Sequence, residues 1–289
     1  MHHGGGKGSI ARPSNWGQQQ RLEFIEFRLF WEGRLNRSDL IEYFGISRPQ
    51  ASLDVARYIE TAPQNITYDK TQKAYLPTRS FRPAIASPEP SAYLDLLLAP
   101  SRPQANFVGW MPPLGLLKYP HRQVKTSVLR QVLLGIREQS MIRVDYQSMN
   151  RHGPTERDIS PHAIAYDGFR WHTRAYCHVR KSFRDFVLAR ILKVHSASPS
   201  SADHHQDEAW TKALDLVLAP HPDLSAGQKN AVALDYGMKK NRLILRTRRA
   251  LAFYVLRQLG LDKASGGPRS QHIVLLNQDE IEPFISEAS

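Results

Sequence analysis

The stretch that decides the fold of the central part of this chain reads DGFRWHTRAYCH over residues 167–178. Its first two residues form the dipeptide Asp-Gly, which favours a tight turn between two antiparallel strands. The residues after the turn alternate between the two faces of a strand. One face carries Phe169, Trp171, Thr173, Ala175 and Cys177, and the other carries Arg170, His172, Arg174, Tyr176 and His178. The stretch therefore predicts a hairpin with one basic and aromatic face.

Two neighbouring stretches show the same period of two. In residues 142–147 apolar residues alternate with polar ones, and residues 186–192 place Phe186, Leu188 and Arg190 on one face. This period is typical of half-buried strands. The three stretches together predict a small, strongly curved and mostly antiparallel sheet.

The positive charge of the protein is concentrated in the same region. The chain of 289 residues has a formal net charge of +12, and residues 102–195 hold 16 basic but only 6 acidic residues, a net charge of +10. A folded module with this excess is expected to bind an anion. Arginines beside aromatic residues suit stacked bases as well as phosphates, so the predicted ligand is a nucleotide or an oligonucleotide. A solvated arginine face without a ligand is the alternative.

The order of motifs in this region resembles a WYL domain. The motifs are a helix over residues 125–138, a strand ending in Tyr146-Gln147-Ser148, a strand over residues 157–161, the tripeptide Trp171-His172-Thr173 and a last segment over residues 183–191. The chain departs from the Trp-Tyr-Leu signature at the second and third positions. The resemblance implies an Sm-like small β-barrel that binds a regulatory ligand. Together with the basic face it makes seven residues the predicted ligand site: Tyr146, Ser148, Arg157, Arg170, His172, Arg174 and Arg190.

The N-terminal part of the chain shows a helix-turn-helix pattern. Residues 37–44 predict a short helix that ends at Gly45, and Ser47 and Gln50 have the spacing of a capping box that opens the next helix. Around residues 65–77, two short strands flank a polar turn and predict a wing. The segment resembles the winged helix that precedes the WYL domain in bacterial transcription regulators.

The second helix of this pattern has a face suited to the major groove of DNA. Its apolar residues fall on one side, which leaves Gln50, Leu53 and Arg57 on the other. Arginine can read guanine, glutamine can read adenine, and leucine can contact the thymine methyl group. The predicted DNA-binding residues are Ser47, Arg48, Gln50, Ser52, Leu53, Arg57, Lys70 and Lys73. An ordinary helix pair followed by a hairpin is the alternative, but the turn spacing, the capping box and the basic wing together favour DNA.

The first predicted helix, within residues 18–31, has two apolar stripes. Leu22, Ile25 and Leu29 form one stripe, and the other consists of Phe24, Phe27 and Trp31. One stripe can pack on its own domain. The second stripe indicates either a further partner, such as another domain or subunit, or one thick core, and the pattern does not choose between them.

The composition divides the rest of the chain. Eight prolines between residues 79 and 121 predict a linker with one short apolar helix over residues 92–99. Residues 196–208 include Asp203, His204, His205 and Asp207, and we interpret them as a solvated connector in preference to a zinc site. Later strand and helix patterns predict a small α+β domain, and its position resembles the dimerisation extension that follows WYL domains.

These patterns predict a multidomain α+β protein. Its parts are a disordered tail (1–9), a winged helix-turn-helix domain (10–80), a proline-punctuated linker (81–123), a WYL domain (124–196) and a C-terminal dimerisation domain (209–289). No run of 18 or more apolar residues occurs, so no membrane span is expected. The lone cysteine, Cys177, cannot form an internal disulfide. We therefore expect a cytoplasmic protein.

Two functions remain from these patterns, a ligand-responsive transcription regulator and a nucleic-acid-processing enzyme that uses the basic sheet as a platform with His172 or His178 in chemistry. The sequence contains no familiar catalytic motif. Its acidic residues in the central region are scattered over different elements, which disfavours metal-dependent phosphodiester chemistry. We therefore predict a regulator without catalytic residues, cofactor or metal.

The complete arrangement resembles the bacterial WYL repressors that control anti-phage defence operons. That resemblance implies a homodimer on an inverted-repeat operator of double-stranded DNA, with DNA binding altered by a signal at the WYL domain.

Overall fold

The structure is a computed structural model, and it describes residues 16–98, 107–117, 120, 122–262 and 267–286. The chain divides into two compact units, Met1–Tyr119 and Pro120–Ser289. The predicted disordered tail at residues 1–9 lies outside the described residues. In the described ranges no helix is both long enough and apolar enough to cross a membrane.

The first unit is a winged helix followed by a further helix. Its elements are α1 (Trp16–Phe27), a π-helical turn (Arg28–Glu32), α2 (Arg37–Phe44), α3 (Arg48–Thr61), β1 (Ile66–Asp69), β2 (Ala74–Pro77) and α4 (Pro90–Leu98). Gly45 ends α2 with a left-handed φ of 64° and donates its N–H to the carbonyl of Ile41. That conformation is free of steric cost only for glycine, so the turn between α2 and α3 depends on it.

The core of this unit takes up both stripes of α1. Leu22, Ile25 and Leu29 are buried together with Phe24 of the second stripe. The other two members of the second stripe are covered by a later part of the same unit: Trp31 stacks on Tyr93 of α4 at 4.8 Å, and Phe27 lies 5.7 Å from Phe107. The two stripes therefore belong to one thick core, and the predicted linker helix serves as its cover.

The second unit begins with α5 (Thr126–Arg137) and a five-stranded antiparallel sheet. Its strands are β3 (Ser140–Tyr146), β4 (Thr155–Tyr166), β5 (Trp171–Cys177), β6 (Ser182–Val187) and β7 (Ile191–Pro199), in the order β6-β5-β4-β3-β7. The order of a helix and five strands agrees with the WYL expectation. The two edge strands do not pair with each other in the described residues, so the sheet is open and the predicted barrel is not closed.

The strand alternation read from the sequence is only partly correct. In β5, Thr173, Ala175 and Cys177 are buried as predicted, but Trp171 is 50% exposed, and His172 and Arg174 are buried on the opposite face. Both faces of this strand are covered, which removes the simple inside-and-outside pattern. A 3₁₀ turn at Leu188–Arg190 also interrupts the strand predicted over residues 186–192.

The rest of the second unit is a small α+β assembly. Its elements are a 3₁₀ turn (His204–Gln206), α6 (Glu208–Thr211), β8 (Ala213–Pro220), α7 (Ala226–Asp235), β9 (Leu243–Arg248), α8 (Arg249–Gln258), β10 (Ile273–Leu275) and α9 (Gln278–Ser286). Three antiparallel strands, in the order β10-β8-β9, form its sheet. Leu216 and Leu256 are fully buried between this sheet and its helices. The predicted α+β character of the C-terminal part is therefore present.

Candidate functional site

The helix α3 begins with half of the predicted capping box. The side chain of Ser47 accepts a hydrogen bond from the backbone N–H of Gln50 at 3.4 Å. The Gln50 side chain does not return the bond to Ser47, since its amide donates to Asp54 one turn later at 3.1 Å. The cap still satisfies one of the open N–H groups of the first turn.

The inner face of α3 packs in the core, and its outer face is open. Ala51, Val55 and Tyr58 are at most 1% exposed, whereas Leu53 is 46% exposed. The predicted DNA-binding residues are distributed between this outer face and the wing. Ser47, Arg48, Leu53, Lys70 and Lys73 are exposed, and Gln50, Ser52 and Arg57 are half-buried.

A buried carboxylate lies beneath this face, and the sequence did not identify it. Asp54 is fully buried and receives a salt bridge from Arg21 of α1 at 2.6 Å. Arg57 approaches the same carboxylate at 3.9 Å with a side chain that is 37% exposed. Asp54 thus orders two of the predicted base-reading side chains, Gln50 and Arg57, before any DNA is bound. The sequence places Gln50 and Arg57 one turn away from Asp54 on α3, but its shortest partner, Arg21, lies 33 residues away, so only the contact with α1 reveals its role.

The wing is built as a hairpin with a third short pairing. β1 and β2 pair from Ile66↔Pro77 to Asp69↔Ala74, and Tyr75 also exchanges two backbone hydrogen bonds of 2.9 Å with Leu35. The carboxylate of Asp69 accepts two backbone N–H groups of the turn. The predicted basic tip is therefore an ordered turn that presents its lysines outward.

The second unit contains a cavity of about 600 Å³ beside the basic end of its sheet. Five of the seven predicted ligand residues line it: Tyr146, Ser148, Arg157, Arg174 and Arg190. The sequence did not single out four further lining residues, which come from loops, from β6 and from α8: Arg151, Arg180, Arg184 and Tyr254. The basic character of the three arginines was visible, but no pattern in the sequence placed these segments next to one another.

Arg174 does not belong to an open basic face. Its guanidinium is buried and donates to both carboxylate oxygens of Asp207, at 2.8 and 3.0 Å, and to Asp185 at 3.3 Å. Burial by itself would raise the pKa of Asp207, but hydrogen bonds from His162 and Arg174 outweigh it and lower that pKa to about 2. The connector predicted to be solvated therefore supplies a buried anion that ties the sheet to the C-terminal part. Arg174 lines the cavity, but its guanidinium is held by Asp207 and Asp185.

Arg170 and His172 lie outside the cavity. His172 is buried, with its Nε2 atom 2.9 Å from Asp167, and Arg170 donates to the same carboxylate at 2.9 Å. Desolvation would raise the pKa of Asp167, yet these bonds and two backbone N–H groups of the turn lower it to about 2. The row Arg170, His172 and Arg174 is thus bound to aspartates and does not form an open surface, because alternation in sequence does not reveal the partners that cover a face. A ligand role for Arg170 and His172 stays a prediction.

One wall of the cavity comes from the C-terminal part of the unit. Tyr254 of α8 donates its hydroxyl to Asp185 at 3.0 Å and packs against His172 at 5.0 Å. Desolvation and the nearby Asp185 carboxylate raise the pKa of Tyr254 well above its usual value, so the hydroxyl stays a donor. Asp185 thereby contacts both Arg174 and Tyr254 and connects β5 with α8.

Family models match three parts of the chain. Residues 17–99 match the BrxR transcriptional regulator winged helix-turn-helix domain, residues 127–196 match the WYL domain, and residues 213–281 match the BrxR transcriptional regulator C-terminal dimerization domain. The expected WYL resemblance is confirmed. A solved structure, proteasome accessory factor B/C (PafBC) of Arthrobacter aurescens, is 18% identical with a TM-score of 0.24, and the match covers 98% of this chain and 51% of that one. That likeness is too low to support an argument.

Full-length relatives are more informative. The DNA-binding transcriptional repressor CapW of Escherichia coli strain KTE188 is 39% identical over 280 residues, which cover 95% of this chain and 94% of that protein. CapW proteins of Stenotrophomonas maltophilia and Pseudomonas aeruginosa are each 40% identical, over 94% of this chain and 93% of each relative. Identity at this level over nearly the whole length shows that the chain belongs to the CapW family of DNA-binding transcriptional repressors.

Proposed function

We propose that this protein is a homodimeric transcriptional repressor that binds an inverted-repeat operator of double-stranded DNA through its winged helix. The observation that carries the proposal is the presentation of α3. Its inner face is sealed in the core, while its outer face leaves Leu53 exposed with Gln50 and Arg57 ordered beside it. A helix held in this way can enter the major groove, where these residue types discriminate bases.

The wing supports a second kind of contact. Lys70 and Lys73 are exposed at its turn. Lysines at such a position bind backbone phosphates and add affinity without reading sequence. Direct readout by α3 and phosphate binding by the wing together fit a repressor.

Pairing of subunits is assigned to the C-terminal part of the chain. A single winged helix reads few base pairs, and a two-fold pair matches an inverted repeat. The stripe of Phe24, Phe27 and Trp31 was a candidate interface, but α4 and Phe107 cover most of it. The match of residues 213–281 to a dimerization domain supports the C-terminal part. On β9, an edge strand in the described sheet, Ile244 is 64% exposed and offers an apolar contact.

The cavity of the second unit is proposed to bind a nucleotide or an oligonucleotide that alters DNA binding. Of the arginines that line it, Arg151, Arg157, Arg180, Arg184 and Arg190 form no ion pair with any described residue. Phe183 stands beside them and offers an aromatic ring for stacking, and Tyr146, buried against Phe186, lines the wall. Several unpaired cations in one cavity match a ligand with more than one phosphate better than a single inorganic anion.

The proposal also includes finer assignments. We assign an Sm-like arrangement to the helix α5 and its bent five-stranded sheet. We place the domain limits at 10–80 for the winged helix, 81–123 for the linker, 124–196 for the WYL domain and 209–289 for the dimerisation domain. A role in anti-phage defence and a place in the cytoplasm complete the proposal. An enzyme is disfavoured because the full-length relatives are DNA-binding transcriptional repressors.

Binding to selected DNA tests the proposal directly. The full-length protein is incubated with a random duplex library, and the enriched sequence is compared with a scrambled duplex by fluorescence anisotropy and light scattering. We expect an inverted repeat to be enriched and two chains to bind each duplex. A monomer at micromolar concentration that binds both duplexes equally would contradict the proposal, and cleavage of either duplex would favour the enzyme.

A further inference from the structure

A second concave basic surface lies in the first unit, between the start of α2, the start of α3 and the wing. It is a groove of about 500 Å³. Six of its lining residues matter here: Asn36, Arg37, Arg48, Tyr68, Lys73 and Tyr75. None of the described residues that line the groove is acidic. Three cations therefore face one concavity without a neutralising carboxylate in its wall.

Arg37 is the central cation of this groove and is held in place by the wing. Its guanidinium donates a hydrogen bond to the hydroxyl of Tyr75 and stacks over the Tyr75 ring at 5.4 Å. Its Nε atom is buried and has no hydrogen-bond partner in the part of the chain that the structure describes. A tyrosine hydroxyl leaves the charge of an arginine uncompensated, so the guanidinium keeps its capacity for an anion.

The wing strand that holds Arg37 is itself fixed to the start of α2. Tyr75 exchanges two backbone hydrogen bonds with Leu35, two residues before Arg37. The backbone of α2, the Tyr75 ring and the Arg37 guanidinium are therefore connected by direct contacts. Pre-organisation of this kind lowers the entropic cost of ordering a long side chain on binding.

Lys73 adds a further cation to the groove. It occupies a left-handed conformation, with φ of 51°, at the end of the wing turn. Glycine or asparagine adopts that conformation at lower cost than lysine. The lysine side chain is exposed and lines the groove, so its charge faces the concavity.

We propose that this groove binds a backbone phosphate of the operator DNA, with Arg37 as its main ligand and Tyr75 as the residue that positions Arg37. This inference rests on the proposed DNA-binding function and deepens it. Arg48 and Lys73 bind the same stretch of backbone from the two sides of the groove. The contact fixes the register of the winged helix on the duplex and carries no base preference of its own.

The test measures DNA affinity of the full-length protein between 50 and 200 mM salt on a preferred and a scrambled duplex. Because each neutralised phosphate adds about 0.9 to the slope of log K against log salt, Arg37→Gln should lower the slope by about 0.9 and weaken both duplexes about tenfold near 0.1 M salt. Arg37→Lys keeps the charge and should retain most of the slope. Arg82→Gln removes an exposed arginine near the opposite end of α3 and should leave the slope unchanged.

Tyr75→Phe tests the positioning role, since it removes only one oxygen atom. Loss of one hydrogen bond should weaken both duplexes about fivefold, while the melting temperature stays near that of the wild type. If Arg37→Gln fails to fold, the Tyr75→Phe result decides.

An unchanged slope for a folded Arg37→Gln protein would overturn the inference. If Arg37→Gln does not fold, unchanged affinity of Tyr75→Phe would overturn it. Either result leaves the proposed function standing. A loss confined to the preferred duplex would also overturn it, because that result indicates base readout. Failure of the wild type to prefer any duplex would remove the proposed function itself.

Discussion

Arg57 on α3 and Arg174 in the sheet both face a buried aspartate, but they are held to very different degrees. Arg57 reaches Asp54 only at 3.9 Å and keeps 37% of its side chain exposed. Arg174 binds Asp207 at 2.8 Å with a side chain that is 10% exposed. The carboxylate of Asp54 is occupied by Arg21, whereas that of Asp207 has Arg174 as a principal partner.

The difference separates an arginine that is available to bind a new anion, Arg57, from one that is structural, Arg174. An arginine at the edge of a buried carboxylate can turn to a new anion at low cost, since its first contact is long and solvated. An arginine that pairs with a buried carboxylate cannot leave without stranding an unpaired charge away from water. The two residues have the same charge, and the number and depth of their partners decide what each can do.

The largest effect is expected from removal of the structural arginine. Arg174→Ala leaves Asp207 and Asp185 without their buried partner, so the free energy of unfolding should fall by about 3 to 5 kcal/mol. Guanidinium unfolding followed by tryptophan fluorescence measures it. Arg184→Ala is the control, because this arginine is exposed on the same cavity and should change stability by less than about 0.5 kcal/mol. Equal stabilities for the two variants would break the distinction between available and structural arginines.

The second largest effect is expected from acid, which should weaken the ion pairs of Asp167 and Asp207. Asp167 and Asp207 have folded-state pKa values lowered to about 2, below the ordinary value of 3.8 for an aspartate. A lowered pKa stabilises the fold above pH 3.8, and the contribution is lost as the pH falls toward 2, at roughly 2 kcal/mol for each carboxyl. Asp167→Asn should remove its share of the pH dependence, and Asp235→Asn on the surface should not. A wild-type stability that is constant from pH 5 to pH 2 would exclude this account.

The available arginine should affect recognition and not stability. Arg57→Ala is expected to cost about 1 to 3 kcal/mol on the preferred duplex and to relax the preference at one base position. Lys70→Ala, at the wing tip, should weaken preferred and scrambled duplexes alike. Binding titrations on both duplexes measure the two effects. Equal losses for Arg57→Ala on both duplexes would show that Arg57 contacts phosphate.

The unpaired arginines of the cavity provide the last comparison. The double variant Arg184→Ala, Arg190→Ala should leave operator affinity nearly unchanged in the absence of ligand and should lose a coupling of about 1 to 3 kcal/mol to added short oligonucleotides. Lys193→Ala, whose side chain does not line the cavity, is the control. Loss of operator affinity by the double variant, with a shallower salt dependence, would place the cavity in the DNA footprint.

Local sequence patterns predicted those elements whose signals lie within a few residues of one another. Gly45 and the Ser47 cap located the turn between α2 and α3, because a positive φ and an N-cap are properties of single positions. Asp167-Gly168 located the hairpin before β5 for the same reason. The family resemblance rested on such short-range signals spread over the central region, and the match to the WYL domain confirmed it.

The tertiary structure decided which charges are free. Asp207 is 33 residues from Arg174, and Asp54 is 33 residues from Arg21, yet each pair forms a short salt bridge. Alternation within a strand identifies residues that share a face, but it does not reveal which distant segment will cover that face. The charge excess and the order of motifs are determined by the sequence alone. The division of arginines into structural and available ones depends on burial and on distant partners, because desolvation and ion pairing act through space and not along the chain.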